Sequence, residues 1–181
     1  MQTQAKNSGF TLIELMITVL LLSIVLAIAA PNFISWINNS RVKSTTENMA
    51  QDLIMARTEA IRRNKPTRLD VRSNCYGITI KNTACNCSIT DTSNSAYCEI
   101  KQVSTTAGTE LTVDTGHFNS LIFDSIRGMP ATSSFGTLSS EQNVSISNSS
   151  YTAKLKLNII GNVCISSPSG ANKLTSYPDA C

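Results

Sequence analysis

Charged and aromatic residues are scarce in this sequence, which also has only one histidine and one tryptophan. Of its 181 residues, 15% are charged and 6% are aromatic, and so low a charge argues against a highly charged disordered chain. Eight Gly and five Pro are too few for a collagen-like repeat. The sequence lacks a second long apolar run, which excludes a multi-span membrane protein. At this length we expect one globular domain.

Motifs for catalysis and metal binding are also missing. There is no G-x-S-x-G, P-loop or H-E-x-x-H pattern and no recognisable pair of catalytic carboxylates. The Cys85-Asn86-Cys87 step lacks the C-x2-C spacing typical of zinc sites, and His117 is the one histidine that could serve as a ligand or base. We therefore predict that the chain is not an enzyme and binds no metal or cofactor.

The net charge of +3 and the pI near 8.6 are mild. A dedicated nucleic-acid-binding domain usually has a pI above about 9 and a clustered basic face. The charge is unevenly distributed, because residues 41–72 contain eight basic and four acidic residues whereas residues 73–181 contain six and seven. This pattern fits a solvated helix face or an interaction surface for an acidic partner.

The long apolar run covers residues 10–30, FTLIELMITVLLLSIVLAIAA, and Glu14 is its one charged residue. About 20 apolar residues are enough for a helix to span a bilayer. A secretory signal peptide would have a shorter apolar core followed by a small-residue cleavage site, whereas here Gly9 precedes the run. Lys6 favours a cytoplasmic N-terminus. A lone carboxylate in such a helix requires either a partner or access to water at the interface.

The segment Gly9–Leu15, GFTLIEL, resembles the processing motif of the type IV pilin family. The resemblance implies that a prepilin peptidase cuts between Gly9 and Phe10, removing a leader of residues 1–9, and that Phe10 is then N-methylated. Helix 10–30 would anchor the chain in the inner membrane as a single pass, with the head, residues 31–181, in the periplasm. At an inner-membrane assembly platform, this helix would then join other pilin subunits in the core of a filament.

Within this resemblance, Glu14 is the docking residue. It would pair with the N-terminal amine of a neighbouring subunit, and this pairing would neutralise the costly carboxylate only in the correct register. Pro31 matches a helix-loosening proline of the family. Because proline removes one backbone hydrogen bond, we expect a kink there.

After Pro31 the sequence predicts that the helix continues to about Asn64 and that Pro66 follows its end. A helical stripe predicted to pack on a sheet comprises Val42, Met49, Leu53, Ala56 and Ala60. The opposite face carries Arg41, Lys43, Arg57, Arg62 and Arg63.

Beyond Pro66 the pattern changes to strands separated by turns. Seven segments alternate or are rich in β-branched residues: TRLDVRS, YGITIKN, CEIKQVS, ELTVDT, HFNSLIFDS, NVSISNS and YTAKLKLNIIGNVCIS. Turns are predicted at 127–130 and 167–170, and loops at 90–96 and 131–140. The predicted fold class is α+β and pilin-like: a long N-terminal helix packed against a curved sheet or small two-sheet sandwich.

Three head segments resemble the GspH/FimT/FimU branch of pilin-like proteins: NMAQDLIMARTEAIRRNKPTRLDV, LIFDSIRGMP and KLKLNIIGNVCIS. This resemblance implies a minor pilin that primes assembly of a type IV pilus or sits at its tip, or else a pseudopilin of type II secretion. It argues against the major pilin.

A DNA receptor for natural transformation is the alternative from another functional class, as the FimT sub-branch suggests. That sub-branch has a motif similar to G-R-x-R, whereas this chain has Gly161-Asn162-Val163-Cys164, without either arginine. Lys154, Lys156 and Lys173 could form a weak substitute patch or simply a solvated strand face.

All six cysteines follow the predicted membrane helix and would lie in the oxidising periplasm, where disulfides are expected. We predict a Cys164–Cys181 bridge, because a C-terminal cysteine otherwise belongs to a fraying end, and the family resemblance also supports a stapled C-terminal loop. The other four cysteines should form two local bridges. One pairing is Cys75–Cys85 with Cys87–Cys98, and the crossed pairing is the alternative.

Overall fold

The computed structural model describes residues 9–115, 118–170 and 172–181. A single α-helix, α1, extends over Leu12–Arg63. The chain forms two compact units, Met1–Ile37 and Asn38–Cys181. The second unit falls within the head predicted at residues 31–181, and from here on the head means Asn38–Cys181. We describe the two units separately.

The end of α1 matches the sequence prediction closely. Asn64 adopts a left-handed φ of 50°, and the Lys65 N–H donates to the Ala60 carbonyl at 3.2 Å while the Asn64 N–H donates to that of Ile61 at 3.2 Å. These two bonds form a Schellman motif, which satisfies carbonyls that the helix end leaves open. Pro66 follows two residues later and cannot extend the helix.

In the first unit, every described side chain from Phe10 to Ile28 is exposed. No single helix among the described residues meets the length and hydropathy expected of a membrane span. Two helical segments with a bend between them, Leu12–Ile28 and Phe33–Arg63, together meet the criteria of length and hydropathy, by length and composition alone. The side chain of Pro31 lies outside the described part of the chain, so the kink remains a prediction.

The head contains two antiparallel sheets. The first has the strand order β3-β2-β1-β5-β6 and the second has the order β4-β7-β8-β9. The strand bounds are Thr67–Arg72 (β1), Cys75–Thr79 (β2), Lys101–Ser104 (β3), Glu110–Thr115 (β4), Leu121–Phe123 (β5), Pro130–Ala131 (β6), Gln142–Ser147 (β7), Thr152–Leu157 (β8) and Val163–Ser166 (β9). A 3-10 turn, Phe118–Ser120, precedes β5. Two sheets and a helix confirm the predicted α+β class.

The prediction of seven strands was wrong in number, because the described residues contain nine. The last predicted strand is two strands, β8 and β9, separated by a turn over 158–162. Gly161 in that turn has a φ of 87°, which a continuous strand cannot accommodate. The two-residue strand β6 begins at Pro130, inside a predicted turn, and pairs with β5.

The predicted helical stripe is the part of the hydrophobic core that α1 contributes. All five of its residues are buried, and they share one apolar cluster with both sheets. Strand β8 shows the complementary two-residue period, with Ala153, Leu155 and Leu157 inward and the intervening residues half-buried. The five basic residues assigned to the opposite helix face are half-buried or exposed, as predicted.

Three disulfides join the six cysteines. Cys75 pairs with Cys87 and Cys85 with Cys98. This is the crossed alternative of the two predicted pairings. The third joins Cys164 to Cys181. The first two are buried together. Cys75–Cys87 attaches the segment 80–100 to strand β2, whereas Cys85–Cys98 closes a loop within that segment.

Candidate functional site

The N-terminal region contains the residues predicted for processing and docking. Gly9, Phe10 and Thr11 are not helical and are exposed, and α1 begins at Leu12. The predicted scissile bond, Gly9–Phe10, therefore lies in an exposed, non-helical stretch directly before the helix. A Cβ built at Gly9 would meet no atom within 4 Å, so the structure leaves this bond accessible.

Glu14 lies in the first turn of α1. Its backbone N–H donates to Oγ1 of Thr11 at 3.3 Å, so Thr11 acts as the N-cap. Thr11 and Glu14 have the T-x-x-E spacing of a capping box, and a carboxylate in the first turn interacts favourably with the helix dipole. The cap fixes the start of the helix and leaves the Glu14 side chain exposed.

We call residues 10–28 the docking segment. It presents large apolar side chains on all sides, with Phe10 and Leu12 both 78% exposed. Its polar side chains bond within the helix: Thr18 Oγ1 donates to the Leu15 carbonyl and Ser23 Oγ to that of Leu20. Such a surface is stable only when lipid or other apolar helices cover it. Glu14 is the one charge it presents.

The three lysines considered for DNA contact are each paired with a carboxylate. Lys154 Nζ lies 3.3 Å from Asp114 and Lys156 Nζ lies 3.6 Å from Glu141, and Lys173 pairs with Asp179. A carboxylate beside each lysine offsets the charge that would attract a phosphate. The structure therefore gives no unbalanced basic patch at these positions.

The C-terminal tail is attached to the second sheet and to α1. Buried Ser167 donates from Oγ to the Thr152 carbonyl at 2.7 Å and accepts from the Leu174 N–H at 2.8 Å. Tyr177 Oη donates to Glu47 at 2.9 Å, and burial together with this bond raises the pKa of Tyr177. With the Cys164–Cys181 bridge, these contacts hold the tail along its length.

A buried polar cluster joins α1 to the first sheet. Asp52 accepts hydrogen bonds from Tyr76 Oη at 2.8 Å and from Lys101 Nζ at 2.6 Å. Burial, together with the bond to Asp52, raises the pKa of the Tyr76 phenol. The cluster sets the position of the helix on strands β2 and β3, because two donors on the sheet converge on one carboxylate of the helix.

Asp52→Ala is expected to lower the free energy of unfolding by about 1–3 kcal/mol, because it leaves the buried Tyr76 hydroxyl without its acceptor while Lys101 can still reach water. Urea unfolding of the full chain in detergent would measure this. Asp91→Ala is the matched control, since Asp91 is exposed and its side chain accepts bonds from Ser93 alone. Equal losses for the two variants would contradict the role of the cluster.

One surface feature was missed by the sequence reasoning. The β5–β6 turn, the 132–137 loop and the β8–β9 turn together form a groove of about 480 Å³, which we call the isoleucine groove. Its exposed apolar side chains are Ile126, Phe135, Ile159 and Ile160. A sequence signal for the groove does exist: isoleucines occur within two otherwise polar turn sequences, Asp124–Gly128 and Asn158–Asn162, where polar residues are expected.

No group of three or more His, Cys, Asp or Glu side chains within residues 9–115, 118–170 and 172–181 is arranged to hold a metal ion. His117 lies outside the described residues.

Comparison with known proteins agrees with this architecture. The family model of the type II transport protein GspH matches residues 45–161, and that of the prokaryotic N-terminal methylation motif matches residues 4–30. A search of curated proteins gives no match.

Solved structures were also compared with this chain. The type IV minor pilin FimU of Pseudomonas aeruginosa is 12% identical with a TM-score of 0.51, over 73% of this chain and 96% of that one. The minor pseudopilin EpsH from the type 2 secretion system of Vibrio cholerae is 13% identical with a TM-score of 0.48, over 72% and 99%.

The N-terminal motif, the long helix and the β-rich head define a structural subunit of the pilin and pseudopilin class. Within that class, the chain belongs to the GspH family.

Proposed function

We propose that the chain is a minor pilin of the type IV pilus, which primes assembly or sits at the filament tip and is anchored in the inner membrane before assembly. The observation that carries the proposal is the docking segment, an entirely exposed apolar helix with Glu14 as its one charge. Lipid covers this surface before assembly, and the helices of other pilin subunits cover it afterwards. Glu14 then sets the register by pairing with a neighbour's N-terminal amine.

Processing precedes this step. A prepilin peptidase cleaves between Gly9 and Phe10, releasing leader 1–9 and creating the amine that is N-methylated on Phe10. The exposed, non-helical geometry of Gly9 and Phe10 supports access for the peptidase. An inner-membrane assembly platform then moves the subunit from the bilayer into the filament, with the head in the periplasm.

A pseudopilin of type II secretion is the second candidate. The observation in its favour is the match of residues 45–161 to a family model named for type II transport. Both candidates use the same docking segment, so they differ in the machinery served and not in the chemistry of docking. A DNA-uptake receptor is not favoured, because Lys154, Lys156 and Lys173 are all paired with carboxylates.

Deletion of the gene, scored for surface pili, DNA uptake and protein secretion, tests the proposal. We expect loss of pili, restored by the wild-type gene. A secretion defect with normal pili would overturn the pilus assignment in favour of the pseudopilin. Normal pili with lost DNA uptake would overturn it in favour of a DNA receptor.

A further inference from the structure

The isoleucine groove collects most of the exposed apolar surface of the head. Among the described residues of the head, six large apolar side chains are exposed, and four of them line this groove. Ile126 is 81% exposed, Phe135 52%, Ile159 49% and Ile160 50%. Single exposed apolar residues are ordinary, but a contiguous group in a concave site marks a surface that binds a partner.

The two turns that carry the isoleucines are fixed in the same way. The Asp124 carboxylate accepts the N–H groups of Ile126, Arg127 and Met129 at 2.7–2.8 Å. In the other turn, Asn158 Oδ1 accepts the N–H groups of Ile160 and Asn162 at 3.1 and 2.8 Å. These bonds hold the isoleucines outward at the turn tips, so their exposure is built into the backbone.

Phe135 adds a second sign that the groove is constructed for binding. It has a φ of 60°, a left-handed conformation that is rare for a bulky side chain. Residues held in such conformations concentrate at ligand-binding sites, where the surrounding structure enforces them. Here the Phe135 N–H donates to the Thr132 carbonyl at 2.9 Å, which closes the turn and leaves the ring at the groove.

The groove has a net positive charge, because two arginines and one carboxylate, Asp124, lie at it. Arg127 lines the groove. Arg57 lies between the two turns, since its side chain would contact a Cβ at either Gly128 or Gly161. Neither arginine makes an ion pair with a described residue.

The nearby carboxylate of Asp124 is already engaged by backbone groups. Burial alone would raise the pKa of Asp124, but the three backbone N–H bonds and the nearby charge of Arg127 together hold it below its ordinary value. Asp124 therefore offsets part of the charge of Arg127 but forms no ion pair with either arginine, and two arginines against one carboxylate leave the groove with a net positive charge.

We propose that the isoleucine groove binds a protein segment that presents apolar side chains flanked by carboxylates. The apolar side chains fill the groove beside Ile126, Phe135 and Ile160, and the carboxylates pair with Arg127 and Arg57. A nucleic acid fits less well, because two arginines neutralise few phosphates and four apolar side chains would remain uncovered. This surface is separate from the docking segment, so the proposal does not rest on the assignment as a pilin.

Photo-crosslinking in cells that make the full chain would test it. A benzophenone amino acid at Phe135 should crosslink to a protein, and mass spectrometry should locate the crosslink in a segment with at least one carboxylate beside apolar residues. Arg127→Glu should lower the crosslink yield about tenfold, since like charges at an interface are strongly unfavourable. Reversing the mapped carboxylate to lysine should restore the yield.

Ile126→Ser/Ile160→Ser should also abolish the crosslink, whereas Ile54→Ser should not. Ile54 is a matched control, because it is 58% exposed on α1 and outside the groove. Alkylation should show all three disulfides in every variant, which verifies folding. The proposal is overturned by crosslinks to lipid, to nucleic acid or to a second copy of this chain, by no crosslink, or by equal losses in the Ile54 control.

Discussion

Glu14→Ala is expected to abolish incorporation of the chain into filaments while leaving cleavage after Gly9 intact. The carboxylate lies on an otherwise uncharged apolar surface. In the proposed function, the bilayer penalises this charge and docking against a neighbouring amine relieves the penalty. Alanine removes both effects. The variant is more stable in the membrane and gains nothing electrostatically on docking, with an expected loss of about 2–3 kcal/mol, or roughly 30- to 160-fold in incorporation.

The measurement is the fraction of the chain in sheared filaments against that in the inner membrane, with the processed and unprocessed forms separated by size. Ser23→Ala is the matched control, because Ser23 is a polar residue of the same segment whose hydroxyl is satisfied by the Leu20 carbonyl at 2.7 Å. It should incorporate normally. Wild-type incorporation of Glu14→Ala would rule out the register role, and loss of cleavage would show that the residue acts at processing.

The helix could be predicted from sequence because its signals are local. The spacing of Val42, Met49 and Leu53 follows from the helical period alone, and the end at Asn64 follows from the residues that can occupy a Schellman motif. Strand order does not follow from local patterns. Strand β6 has only two residues, and its place at the edge of a sheet depends on pairing with β5.

The candidate site also has one part that local sequence patterns predict and another that forms only on folding. The docking segment and Glu14 could be located because about 20 apolar residues around one charge form a pattern in the sequence itself. The isoleucine groove could not, because its residues come from three separate loops that meet only in the folded head. The pairing of Lys154 with Asp114 joins positions 40 residues apart in sequence, and no local pattern predicts it.

Gly77→Ala is the second change expected to have a large effect. Gly77 lies in β2, paired with Asp70 on one side and Gln102 on the other. A Cβ at this position would overlap Cys98 Sγ and lie 3.2 Å from Cys85 Sγ. The ladders on both sides prevent β2 from moving away, so the disulfide must give way. Overpacking typically costs about 1–3 kcal/mol, and loss of a native disulfide about 2–5 kcal/mol.

We therefore expect Gly77→Ala to leave Cys85 and Cys98 unpaired, detected as two reactive thiols per chain by alkylation and mass spectrometry, and to lower the free energy of unfolding by at least about 3 kcal/mol. Gly136→Ala is the matched control, because its new Cβ would meet only the Thr132 side-chain oxygen, at 3.0 Å. That side chain can shift by giving up exposed hydrogen bonds to the Gly136 backbone, which water can replace. Three intact disulfides and wild-type stability in Gly77→Ala would refute the steric account.

A double-mutant cycle separates the steric clash with the disulfide from any loss of stability that alanine causes in strand β2 for another reason. In a Cys85→Ala/Cys98→Ala background the sulfur atoms that obstruct position 77 are gone, and the nearest remaining atom is the Cβ at residue 98, at 2.8 Å. That contact still requires a small shift, so the added cost of Gly77→Ala should fall to about 1 kcal/mol, giving a coupling of at least about 2 kcal/mol. An unchanged cost would place the constraint in the backbone of β2. The expected coupling would show that residue 77 must lack a side chain because the Cys85–Cys98 bridge occupies that space.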